Sequence, residues 1–360
     1  MRKVSIIGTV GLPAIYGGFE TLAEYLTKYL GKKYDITVYC SSKSYSHKIA
    51  QYNDAKLVYL PLNANGVQSI PYDILAIFKA IRYADTLLIL GVSGCICLPF
   101  IKLISRKKIV VNIDGMEWKR NKWSKSAKWF LKFSEKLAVK YADVVITDNK
   151  VIQDYVLSEY GVENTLIAYG GDHAVVAPLS KKLLSQYPYL DTHYAFTVCR
   201  IEPENNIHII LKALAQQTNL PLIMIGNWQS SQYGMDLYAA YSGIKHIHLL
   251  NPIYDQAILN QIRSNCFIYL HGHSAGGTNP SLVEAMCLGL PIFAYAANYN
   301  KETTENAAHY FSDADELKQL IINSNKESLL ANGLNMSAIA TRRYQWKGIA
   351  DQYAKLLDLK

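Results

Sequence analysis

Half of the 360 residues are hydrophobic and only 18% are charged, enough apolar material for two folded domains and too little charge for a disordered chain. The formal charge of +8 sits entirely in the first half: residues 1–172 hold 23 Lys/Arg against 15 Asp/Glu, and the remainder balances at 14 of each. Six cysteines without metal-ligand spacing argue against a zinc module and predict reduced, buried thiols.

The chain starts directly in a strand, Val4 to Gly8, with no apolar leader before it, so a cytoplasmic protein is expected. A loop rich in Gly and Pro follows, then apolar residues at helical spacing from Glu20. A strand, a glycine loop and a helix suggest a dinucleotide site, but the G-x-G-x-x-G spacing is absent. Strand-like runs recur at 36–40, 57–60, 86–91, 108–113 and 144–147 with helical stretches between them, a pattern that predicts a parallel sheet covered on both faces. The apolar run 86–101 is broken by Gly91, Gly94 and Pro99, so it reads as a core strand and a helix, too short to span a membrane.

Ligands in such folds bind outside the carboxyl ends of the strands. Residues 112–123 follow a strand, making Asp114, Glu117, Trp118, Lys119 and Arg120 candidates for a binding cleft, and Asp148 follows the next strand. Between them, a helix capped by Ser124 or Ser126 carries lysines at 125, 128, 132, 136 and 140, three or four apart and therefore on one stripe. Trp129, Phe130, Phe133 and Leu137 fall elsewhere around it. That pattern suits an anionic membrane surface, or equally a solvated face with aromatics in the core. No nucleic-acid-binding module is recognisable. Asp172 and His173 stand near the domain junction, and the polar, proline-marked stretch 177–192 reads as a linker.

The second half repeats the alternation. A strand at 194–200 ends on Arg200, and the runs 222–225 and 246–250 are followed by loops, the first carrying Asn227. The run Cys266 to Leu270 suits a buried strand, after which Gly276 and Gly277 permit a sharp turn and close approach to a ligand. Thr278 or Asn279 can cap the next helix, and Pro280 suits its first turn. The free amides at that helix start favour phosphate, with Glu284 one turn along. Asp313 and Asp315 imitate a metal-binding D-x-D but precede a helical run, so capping is the expected role and no metal is implied.

The run Ser274-Ala-Gly-Gly-Thr-Asn-Pro-Ser-Leu-Val-Glu-Ala-Met286 resembles the nucleotide-sugar motif of the retaining, two-domain (GT-B) glycosyltransferases of the family-four type. It is most similar to bacterial rhamnosyltransferases that build capsule, O-antigen and cell-wall polysaccharides. The likeness runs nearly end to end and is strongest at 16–20, 112–123, 197–206 and 274–286. It implies an α/β fold of two Rossmann-like domains facing a cleft: an acceptor-side domain at 1–172, a nucleotide-sugar domain at 173–343, and a last helix, 344–360, crossing back to the first.

By resemblance, Gly17, Gly18, Asn227, Gly276, Gly277, Thr278, Asn279 and Glu284 bind the nucleotide sugar, with Glu284 on the ribose. Asp114, Glu117, Asp148 and Arg200 would serve catalysis, and Phe19, Glu20, Trp118, Lys119 and Arg120 the acceptor. The implied donor is dTDP-β-L-rhamnose, and the implied acceptor is a sugar on a polyprenyl diphosphate at the inner membrane face. No metal cofactor is implied. Two positions depart from the family pattern: Asn205 stands where a lysine holds the diphosphate, and Gly276 replaces the first of two glutamates. These departures keep two alternatives open, an epimerase on the same fold and a non-catalytic nucleotide-sugar-binding protein.

Overall fold

The computed structural model describes residues 1–15, 17–113, 115–119, 124–216 and 220–359, with Glu117 described in its backbone only. The chain forms two compact units, Met1–Tyr169 with Trp346–Lys360, and Gly170–Gln345. The first is built on eight strands: β1 (Lys3–Ile7), β2 (Asp35–Ser41), β3 (Gln51–Tyr52), β4 (Ala55–Leu60), β5 (Thr86–Leu90), β6 (Lys108–Ile113), β7 (Val144–Thr147) and β8 (Thr165–Leu166). Their order in the sheet is β3-β4-β2-β1-β5-β6-β7-β8. All pairs are parallel except β3 with β4. Residues such as the wholly buried Thr-Leu-Leu-Ile-Leu of β5 explain this arrangement, because a strand covered on both faces needs no polar alternation.

The second unit holds β9 (Ala195–Val198), β10 (Leu222–Ile225), β11 (Ile247–Leu250), β12 (Ile268–His271), β13 (Ile292–Tyr295) and β14 (His309–Phe311). These six are parallel throughout, in the order β11-β10-β9-β12-β13-β14. Each sheet therefore has a point where the chain jumps back over itself, between β1 and β5 in one and between β9 and β12 in the other. Such switch points leave a crevice at the carboxyl ends of the strands.

The last helix, Trp346–Asp358, completes the first unit. Trp346, Ile349, Ala350, Tyr353, Ala354 and Leu357 recur at helical spacing and are buried with residues of the helix Gly18–Leu30. Trp346 stacks on Tyr25 with centroids 4.6 Å apart, and the amide of Asn112 donates to the Tyr353 hydroxyl at 2.7 Å.

The stretch 177–192 is not a free linker. Leu183 and Leu190 are buried, Ser180 caps a short helix, Lys181–Gln186, and the Ala177 and Ser180 amides donate to Ser264 and Gln261 at 3.1 and 2.8 Å. Its prolines and serines terminate and cap local turns, and its two buried leucines anchor them to the second unit. Asp313 caps the helix Ala314–Asn323, accepting from the Asp315 and Glu316 amides at 2.9 Å. All six cysteines are free thiols.

Truncating Trp346 to Ala removes a fully buried ring from the first unit's core. It should cost about 3–5 kcal/mol. Urea unfolding followed by circular dichroism measures this, and a loss below about 1 kcal/mol would mean that the last helix is not part of that core.

Candidate nucleotide-sugar site

At the second switch point the loops after β9 and β12 are tied together. Asn205 donates from Nδ2 to the Arg200 carbonyl at 2.6 Å, so its Oδ1 is left to accept from His273 Nδ1, also at 2.6 Å. Asn206, in left-handed conformation, donates to the Gly272 carbonyl at 2.8 Å. Ser274 donates from both its amide and its hydroxyl to the Glu204 carbonyl at 2.9 Å, and Asn300 donates to the His273 carbonyl at 2.8 Å. A largely buried knot of hydrogen bonds thus stands where the family pattern places a lysine. The Arg200 side chain lies half in solvent, 3.8 Å from Glu202.

Past this knot Gly276 has a φ of 122°, a conformation that side chains rarely adopt. The chain then enters the helix Pro280–Cys287. Asn279 is its cap, its Oδ1 accepting from the Ser281 amide and hydroxyl at 3.0 and 2.9 Å, while Thr278 is buried beside it.

Glu284, one turn into this helix, is held from two sides. Its Oε2 pairs with Arg263, from the helix Gln256–Ser264, and its Oε1 lies 2.9 Å from His173 Nε2. A carboxylate only accepts, so His173 donates here. Arg263 is fully buried and donates its other amino group to Asn260 Oδ1 at 3.0 Å. Burial pushes the Glu284 carboxyl up, but the Arg263 guanidinium and then His173 more than offset it and hold the group down at about 2. His173 reaches its place because Gly171 lets the turn lie against the helix; a Cβ there would sit 2.6 Å from the Val283 carbonyl. Asn227 caps a short turn after β10, accepting from the Gln229 amide at 3.2 Å.

In the first unit the candidates lie after β1, β6 and β7. Gly17 precedes the helix Gly18–Leu30, Phe19 packs against the core, and Glu20 is buried and accepts from the Val10 amide at 2.6 Å, closing the loop. Asp114 and Arg120 lie outside the described residues, as does the Glu117 side chain. Trp118 and Lys119 sit in the turn Glu117–Lys119, and Asp148 is buried at the end of β7.

Lys132 departs from the expected solvent stripe. Its ammonium lies 4.6, 4.8 and 5.1 Å from the ring centres of Trp118, Tyr155 and Tyr160, and 2.8 Å from Glu159. Beside it, the buried Glu135 accepts from both tyrosine hydroxyls at 2.6 Å. An ammonium gains more from this aromatic and acidic pocket than from water. The solvent face of the helix is instead Lys125, Trp129, Phe133, Lys136 and Lys140.

Arg263 and Asn260 were not singled out from the sequence. The available signal was a cation on the same helical face as Leu259 and Ile262, both buried. Among the described residues no cluster of His, Cys, Asp and Glu could hold a metal ion.

Comparison with known proteins bears on this geometry. Residues 185–336 match the family model of glycosyl transferases group 1. The likeness to that family is carried by the second half of the chain. Residues 1–172 match the model of a domain of unknown function, DUF1972. No curated protein sequence matches significantly.

Among solved structures, sucrose-phosphate synthase from Thermosynechococcus elongatus superposes with a TM-score of 0.83 at 16% identity, covering 99% of this chain and 98% of that one. Anabaena HepE in complex with UDP-glucose gives 0.77 at 17% identity, with 99% of each chain covered. The α,α-trehalose 6-phosphate synthase of Burkholderia multivorans gives 0.73 at 11%, covering 99% and 96%. These likenesses establish the two-domain GT-B fold.

The Glu284 carboxyl lies below its ordinary value, so it adds stability above about pH 4.5 that is lost as pH falls towards about 2. Arg263→Met leaves that carboxylate without its main partner and should cost about 3–5 kcal/mol at neutral pH. Burial then raises the orphaned group, so acid protonates it and the deficit against wild type should shrink on going to about pH 4.5. Urea unfolding at both pH values measures this; a pH-independent deficit would mean that the ion pair is not the cause.

Proposed function

We propose that this glycosyltransferase transfers its sugar with retention, from a nucleotide diphosphate donor to a hydroxyl of a lipid-carried acceptor. The observation that carries this reading is an ionised Glu284, its side chain 15% exposed, one turn inside a capped helix start at the switch point of the second sheet. The amides of 277–279 and the Arg200 side chain bind the diphosphate, and Glu284 accepts from the pentose. In the reaction the acceptor oxygen bonds to the anomeric carbon as the bond to phosphate breaks on the same face. The departing phosphate takes the acceptor proton. Preorganised amides and a cation stabilise the charge that develops on it. By resemblance, Asp114 orients the acceptor hydroxyl, and Glu117 and Asp148 also serve catalysis. Gly17 and Gly18 approach the diphosphate, Phe19, Glu20, Trp118, Lys119 and Arg120 receive the acceptor, and Asn227 borders the base.

The donor is dTDP-β-L-rhamnose in this reading, supported by the resemblance of residues 274–286 to rhamnosyltransferases. A physical argument points the same way. One Glu284 oxygen is engaged by Arg263 and the other by His173, so fewer acceptor positions remain than on a bare carboxylate. A 2′-deoxy nucleotide offers one pentose hydroxyl and suits that shortage. A second donor, UDP-glucose, is favoured by the Anabaena HepE complex. The acceptor is a sugar on a polyprenyl diphosphate, and the enzyme acts at the inner face of the plasma membrane.

Titration calorimetry with dTDP and UDP, and turnover with dTDP-β-L-rhamnose and UDP-glucose on a synthetic lipid-linked acceptor, discriminate these readings. Glu284→Gln should weaken dTDP binding by about 1–3 kcal/mol. Unchanged affinity would place the nucleotide elsewhere. Arg200→Ala should lower kcat/KM by about 2–4 kcal/mol of transition-state stabilisation, and wild-type turnover would remove it from the site.

A further inference from the structure

Five large apolar side chains stand in solvent on two neighbouring helices of the first unit. Leu103 is 83% exposed, with Phe100 and Ile104 more than half exposed beside it on the helix Leu98–Ile104. Trp129 is 69% exposed and stacks on Phe133 with centroids 5.6 Å apart on the helix Lys125–Tyr141. Sheet topology makes these one surface. The helices that carry the chain from β5 to β6 and from β6 to β7 are right-handed crossovers between adjacent parallel strands, so they lie on the same face of the sheet. They pack against each other, and Lys102 bridges from one to Asp143 just beyond the other at 2.6 Å. Residues of either helix that are exposed therefore point away from the sheet together.

Exposed cations accompany these side chains: Lys125, Lys136 and Lys140 on the second helix and Arg106 just after the first. Among the described residues, Asp143 pairs with Lys102, Asp85 with Lys107 at 3.9 Å and Glu159 with Lys132, and Glu135 is buried against two tyrosine hydroxyls. Exposed apolar residues at helical spacing, one of them Trp, with exposed long cations on or next to the same helices match a bilayer interface. The rings and Leu/Ile side chains enter the acyl boundary, and the lysine stems lie along it with their ammonium groups at the phosphates. Among the described residues no helix is long and apolar enough to cross a membrane, so contact at the surface is what this face can make.

Building on the lipid-carried acceptor proposed above, we propose that Phe100, Leu103, Ile104, Trp129 and Phe133 form one insertion face that seats the enzyme in the surface of an anionic bilayer. Anchoring then has an apolar part that salt does not screen and an electrostatic part that it does.

Vesicle flotation tests this with the full-length protein, using phosphatidylcholine vesicles with and without phosphatidylglycerol at low and high salt. Wild type should keep measurable binding to the anionic vesicles at high salt. Leu103→Ser with Trp129→Ser should lower binding by at least about tenfold at both salt levels, since apolar area is lost. Lys125→Gln with Lys136→Gln should lower it about fivefold per charge at low salt and little at high salt. Thermal melts check that both variants are folded. Wild type that binds no vesicle, or binding that the apolar variant leaves intact, overturns the insertion face. Self-association of wild type that the apolar variant abolishes, with vesicle binding unchanged, would assign the face to a second copy of the chain and also overturn it. Turnover of a short soluble acceptor separates the two proposals: it should survive in the apolar variant, and its absence in wild type that still floats would count against the transfer reading alone.

Discussion

The ion pair between Arg263 and Glu284 is the interaction on which the second unit's site depends. Burying a carboxylate alone is prohibitive, and here a fully buried guanidinium makes the charged form the stable one. Three segments far apart in the chain are thereby brought to fixed positions: the turn at 171–173, the helix Gln256–Ser264 and the helix Pro280–Cys287. Replacing such a pair by apolar residues is often neutral for stability, so stability alone does not explain it. What the pair does supply is a charge held in a defined direction beside a helix start, the feature on which the proposed nucleotide-sugar site rests.

The same region shows how a loop can be rigid without a cation. Asn205 donates to the Arg200 carbonyl and accepts from His273, binding the two loops of the switch point into one frame. A lysine there would bring charge but could not accept from His273. In the proposed site this exchanges one charge-assisted ligand contact, in general about 1.5–3 kcal/mol, for a preorganised backbone. That proposal assigns the diphosphate to the helix amides and Arg200.

Charge is distributed unevenly along the chain. The balanced second half pairs its fully buried Arg263 with Glu284, whereas the basic first half carries exposed cations on helices that also expose apolar side chains. Lys132 is the exception that defines the rule. It turns inward because Trp118, Tyr155 and Tyr160 surround it and Glu159 and Glu135 neutralise it, and so it joins the turn Glu117–Lys119 to two helices.

The sequence by itself determined the parallel α/β architecture, since apolar runs of strand length alternated with helical periodicity, and capping residues such as Ser124, Asn149 and Asn279 marked helix starts. It also determined the capped helix start with Glu284, because Gly276, Asn279 and Pro280 act through backbone geometry that needs no distant partner. The tertiary structure decided what depends on residues distant in the chain. Arg263 and His173 meet Glu284 across 21 and 111 residues, and no periodicity predicts such a meeting. The stretch 177–192 looked like a linker because its polar composition is local, while the contacts that fold it onto Gln261 and Ser264 are not. Even spacing placed Lys132 with the other lysines, and only the packing of Tyr155 and Tyr160 against its helix made an inward pocket for its charge. Pattern specifies which face of an element is apolar; which charges share a buried space follows from the packing of elements that the pattern treats separately.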